Sequence, residues 1–280
     1  MLSEKRYSLI VLGGLLLTAF LSFVFVSAKN EKANNDVVRI DVKAAVEQNS
    51  NLKNNLRWTF GSKTQTGWYL YVPLIQHLIR TESAPETEEF AFALAKWQRQ
   101  SNLEEHGILD ESTLLKMVGF WQSQRLNRSD YPTENELLTA PITNFYDPTR
   151  DIELRKVKRD AYSAYQQMVA AAMADKSLKL KADSQFLKII SAFRSREYQE
   201  KLRQKSPNST RTTLAQNSPH FTGCALDIYV GGEPVSTKDE NRAIQIETPV
   251  YKWLVKNAEK FGFYPYYYEP WHWEYAPKNR

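Results

Sequence analysis

The stretch from Tyr7 to Ala28 carries no charge and comes directly after Lys5 and Arg6. It is dominated by Leu, Val, Phe and Ala. No polar face interrupts it, so it cannot lie half-exposed on a soluble core. A spanning helix needs about 20 apolar residues, whereas the apolar part of a signal peptide is usually about 7–15. Length therefore favours a retained anchor, while the small residues of Val26-Ser27-Ala28 resemble a cleavage site. Residues 1–28 are read as a signal or membrane anchor, the anchor preferred. The positive flank then stays in the cytoplasm and the rest is exported.

The chain has an ordinary globular composition, with 42% hydrophobic and 25% charged residues. Formal net charge is +5, of which Glu4, Lys5 and Arg6 contribute +1. That surplus suits contact with an anionic envelope polymer or a membrane surface, and it is no nucleic-acid signature. Cys224 is the single cysteine, so an internal disulfide and a cysteine-rich metal site are both excluded.

Residues 29–63 are polar and Asn-rich, the pattern of a spacer with one short ordered piece at Val37–Val46. Residues 64–121 predict a small helical module. Its helices cover Val72–Ile79, with Pro73 in the first turn, the Phe90-Leu94-Trp97 stripe up to Gln100, and Ser112–Met117 behind an Asp110 N-cap. Residues 122–151, with Pro132, Pro141 and Pro148, read as a connector. From 152 to 280 the pattern predicts an α+β domain, an antiparallel sheet with flanking helices. A long helix carries Leu154, Val157, Ala161, Tyr165, Met168 and Ala172 on one stripe. A strand at Phe186–Phe193, a helix at Glu197–Gln204 and a polar loop at Ser206–Asn217 come next. Then come a strand at Ala225–Val230, a helix capped by Thr248 with Pro249 at its start, and a closing strand at Trp271–Tyr275.

Of four histidines, two lie in short segments rich in chemistry, "SPHFTGCALDIYV" (Ser218–Val230) and "EPWHWEY" (Glu269–Tyr275). His220, Asp227 and His272 form a donor set that suits catalytic zinc, which takes three protein ligands and keeps one position open. One acid, Glu269, is left over to carry protons. Side chains alternate along a strand, so a regular ladder would turn Glu269 away from the face of His272. Pro270 favours an irregular entry instead, which lets Glu269 reach the site as general base. Cys224, between turn and strand, reads as a small buried residue.

Two segments resemble known families. Ser218, His220, Gly223, Ala225 and Asp227 match Ser-x-His-x-x-Gly-x-Ala-x-Asp, and Glu269, Trp271 and His272 match Glu-x-Trp-His. This resembles the VanY-type D-alanyl-D-alanine carboxypeptidases, a metallopeptidase family, and "SAFRSREYQ" (Ser191–Gln199) is similar to a further stretch of it, with Phe193 in place of Tyr. The similarity covers 162–277. It implies zinc on His220, Asp227 and His272, with Glu269 as base. It further implies that Arg194 holds the oxyanion or the terminal carboxylate, that Ser218 binds that carboxylate and that Gln199 binds peptide backbone. The substrate it implies is a peptidoglycan stem peptide losing its C-terminal D-amino acid. An LD-carboxypeptidase or an endopeptidase of the same fold would share these motifs, and a noncatalytic wall-binding protein is the rival from outside the enzymes. Phe90–Met117 resembles the second half of the peptidoglycan-binding type 1 domain through Trp97-Gln98, Leu103, Gly107, Asp110 and Thr113-Leu114, which implies a small helical fold and possible glycan binding.

Overall fold

A computed structural model describes residues 40–61, 63–126, 131–205 and 218–277. The apolar stretch read as signal or anchor and the Ser206–Asn217 loop lie outside these. Among the described residues no helix is long and apolar enough to cross a membrane.

Among the described residues the first element is a helix, α1 (Val42–Asn55), succeeded by a hairpin of β1 (Arg57–Phe60) and β2 (Lys63–Thr66). This corrects the expectation of a spacer with one short piece at Val37–Val46. Asp41 caps α1 by accepting from the Ala44 amide at 3.0 Å. The Asn-rich composition also misled because Asn49 is buried and structural. Its side chain donates to Gly107 O at 2.9 Å and accepts from Leu109 N at 2.8 Å.

Three further helices complete this half: α2 (Val72–Ile79), α3 (Glu88–Gln100) and α4 (Glu111–Ser123). Thr87 and Asp110 cap the last two through the amides of Phe90 and Thr113. The turn between them is fixed from inside by the fully buried Gln98, which donates to Ile108 O and Thr113 Oγ1 and accepts from Gly107 N. Gly107 sits at φ +69, where an added Cβ would lie 2.8 Å from Ala91 O; only glycine fits.

Two short strands, β3 (Leu137–Thr139) and β4 (Lys156–Lys158), pair antiparallel and lead into helix α5 (Arg159–Ala174). The predicted helix through Leu154 and Val157 thus starts later. Val157 is fully buried from a strand, opposite Leu138, and its fit to the helical stripe was coincidental.

The main sheet contains β5 (Ile189–Ser191), β6 (Ala225–Ile228), β7 (Phe263–Pro265) and β8 (His272–Tyr275), in the order β5-β6-β8-β7, all antiparallel. Helix α6 (Arg196–Lys205) comes after β5, while α7 (Asp239–Glu247) and α8 (Pro249–Asn257) lie between β6 and β7. The strand expected over Phe186–Phe193 is shorter because Leu187 adopts φ +69 and breaks the extended run. Between Gly231 and Thr248, α7 forms around buried Asn241, Arg242, Gln245 and Ile246. The architecture is mixed α+β.

The helical half packs directly on the sheet half within the unit Arg39–Arg280. Phe60, Tyr71 and Trp121 meet the rings of Tyr267 or Tyr268. Buried Arg242 donates to Tyr71 Oη and Tyr268 O. The Tyr266–Pro270 turn is therefore wedged from the N-terminal side.

Candidate metal centre

β6 and β8 are direct neighbours, with Asp227 opposite His272. The pleat puts paired residues on one face, so these two side chains meet, and His272 Nδ1 lies 2.9 Å from Asp227 Oδ1. His220 arrives from the short turn Pro219–Thr222, which ends on Gly223 at φ +69. Its Nε2 is 3.3 Å from Asp227 Oδ2. One ligand atom from each of the three residues falls within 4.8 Å of the others, and all three residues are buried.

Second partners fix the rings. His220 Nδ1 is 2.7 Å from Ala192 O; a carbonyl only accepts, so that nitrogen carries the hydrogen and Nε2 keeps a free lone pair. His272 Nε2 is 3.2 Å from Glu274 Oε1, which leaves Nδ1 to the cluster. Two imidazoles and a carboxylate, each oriented by a further hydrogen bond, have the chemistry and support that zinc needs.

Without an ion, the charges are held by one another. Burial opposes charge on Asp227, yet His220 and His272 keep its carboxyl well below the usual range. Burial, helped by the Arg194 cation, drives His220 down to about 4. Burial also works against protonated His272, but hydrogen bonds to Asp227 and Glu274 prevail and raise it to about 9. Opposed environments of this kind are concentrated at functional sites.

Glu269 lies just before β8, in a turn closed by its amide to Tyr266 O at 3.1 Å and by the His272 amide to its own carbonyl at 2.9 Å. It is only 8% exposed, and burial lifts its carboxyl to about 7 against the opposing pull of His272. Arg194 donates from Nε to Ser191 Oγ at 3.0 Å and from Nη2 to Asp227 Oδ2 at 2.9 Å. Its fixed cation thus borders the His220–Asp227–His272 cluster. Ser218 is buried and caps the His220 turn, accepting from the His220 amide at 3.3 Å. Gln199 is buried on α6, and Cys224 is buried beside the turn.

Residues 154–278 match the family described as VanY, D-alanyl-D-alanine carboxypeptidase. They are a VanY domain. The match spans every residue of the cluster together with Glu269 and Arg194. No curated protein matches the chain. One solved structure, described as "Structure of the LdcB LD-carboxypeptidase reveals the molecular basis of peptidoglycan recognition", is 24% identical, with a TM-score of 0.39 over 55% of this chain and 73% of its own.

Two residues beside the centre went unnoticed in the sequence. Glu274 is two positions from His272, hence on the same strand face; that spacing was the available signal. Arg125, which pairs with Glu274 across a separation of 149 residues, had no local signal.

Proposed function

We propose that the chain is a zinc-dependent carboxypeptidase that removes the C-terminal D-amino acid from peptidoglycan stem peptides. The observation that carries the reading is the convergence of His220, Asp227 and His272 beside a desolvated Glu269 inside a VanY domain. His220 through Nε2, Asp227 through its carboxylate and His272 through Nδ1 hold the ion. Bound zinc supplies a Lewis acid that polarises the scissile carbonyl and acidifies water.

The protein's own groups do the rest. Glu269, raised toward neutrality by burial, takes a proton from the attacking water and returns it to the departing amine. Arg194 is anchored by Ser191 and Asp227 and presents a fixed cation to the developing oxyanion or to the terminal carboxylate. Ser218 and Gln199 are assigned to the terminal carboxylate and the peptide backbone. The substrate lies in the envelope, which agrees with the apolar Tyr7–Ala28 stretch as signal or anchor.

Mass spectrometry of defined stem peptides incubated with the zinc-loaded chain tests the reading. Loss of one terminal D-alanine from a pentapeptide is the expected result. Cleavage of a tetrapeptide alone would assign the LD reaction instead, and no cleavage of either would remove the carboxypeptidase assignment.

A further inference from the structure

The carboxylate behind His272 is completed by residues from outside the VanY domain. Glu274 is 1% exposed, and a buried carboxylate needs partners for its lone pairs. His272 Nε2 occupies one side of Oε1 at 3.2 Å. The others come from the end of α4. Arg125 Nε donates to Oε1 at 2.9 Å, its Nη2 donates to the same oxygen, and the Leu126 amide donates to Oε2 at 2.9 Å. The Arg125 guanidinium also lies over the Tyr266 ring, 3.9 Å from its centroid, and the Tyr266 ring stands edge-on to His272 at 6.0 Å. Arg125 thus braces two of the groups that flank one imidazole, and its own side chain is only 11% exposed.

From this geometry we infer that Arg125 is a positioning residue for the metal centre, orienting His272 through Glu274. Glu274 accepts the Nε2 hydrogen of His272 and so keeps Nδ1 facing Asp227. Arg125 and the Leu126 amide hold Glu274 in that position. The helical half is then part of the metal-binding machinery, and the VanY segment 154–278 by itself lacks the support on which His272 depends. This rests on the zinc site proposed above.

The test uses the full chain with three substitutions. Arg125→Ala removes the brace. Arg125→Lys keeps a charge on Glu274 but loses the paired donation and the ring contact. Lys256→Ala removes a different contact between the halves, the exposed ion pair with Glu82, and is the control for general loosening. Zinc affinity is measured by chelator competition, and the His272 ring state in the metal-free proteins by nitrogen-15 NMR. Loss of an orienting partner of a metal ligand typically weakens binding by about 10–100-fold. Arg125→Ala is expected to fall in that range, Arg125→Lys to lose less, and Lys256→Ala to match the parent. The His272 Nε2 resonance should shift in the Arg125 variants only. A parent chain that binds no zinc would defeat the site itself. Zinc binding by the parent with equal affinity in Arg125→Ala, and an unmoved Nε2 signal, would defeat the role of Arg125. If Arg125→Ala does not fold, Arg125→Lys decides by the same two readouts.

Discussion

Glu269→Gln separates two consequences of one buried carboxyl. The substitution keeps shape and removes charge. In the fold the carboxyl is raised from 4.5 to about 7, chiefly by burial, so between those values the folded chain holds a proton that the unfolded chain has released. Stability therefore falls as pH rises through this window, and the penalty is complete above pH 7. A difference of that size corresponds to a ceiling of roughly 3 kcal/mol. The neutral amide avoids it. Chelator-treated Glu269→Gln should match the parent near pH 4.5 and be more stable by up to about 3 kcal/mol at pH 8. Urea denaturation at pH steps from about 4.5 to 8 reads the gap. The same variant should keep its zinc and lose about 10²–10⁴ in turnover, the usual contribution of a positioned acid-base group. A stability gap that does not change with pH would refute the desolvated carboxyl, and near-normal turnover would refute its role as base.

The same geometry sets other outcomes. His220→Ala should leave the purified chain without zinc; full occupancy by elemental analysis would strike that residue from the ligands. In the metal-free fold His272 is raised to about 9, while His220 is neutral and Asp227 ionised at pH 7. Zinc uptake at pH 7 should therefore release about one proton, and apparent affinity should climb with pH until about 9. Calorimetry in buffers of different ionisation heat measures this, and a heat independent of buffer would contradict it. Gln98→Leu strands the Gly107 amide and the Ile108 carbonyl in the core, and should cost about 3–5 kcal/mol in chemical denaturation; a loss under about 1 kcal/mol would show that the turn is held by other contacts.

The parts of the molecule legible in the sequence were those governed by short-range rules. Caps such as Asp110, Thr248 and the Gly223 turn carry their own chemistry within four residues, so their helices and turns could be placed closely. The cluster could be anticipated because His220, Asp227 and His272 occur in two compact segments, and Pro270 marked the irregular entry to β8 in which Glu269 lies. Long-range arrangements were hidden. Asn49 looked like spacer composition until Gly107 and Leu109 were brought to it from 58 and 60 residues away. Val157 fitted a helical stripe, but pairing with Leu138 pulled it into a strand. Nothing near Arg125 or Glu274 announces their contact, since only folding joins the end of α4 to β8. Composition likewise gave no sign that the Gly231–Thr248 stretch would contain α7, whose order depends on Asn241 and Gln245 bonding back to the Gly231–Ser236 turn.

The most direct test of the zinc-peptidase reading is a titration of the chelator-treated full chain with zinc, monitoring both bound metal and release of D-alanine from a stem pentapeptide. Hydrolysis should be absent without metal, rise in proportion to zinc bound, and level off at about one ion per chain, the capacity of a three-ligand catalytic site. Undiminished hydrolysis by the metal-free chain, or hydrolysis that bears no relation to zinc bound, would contradict it.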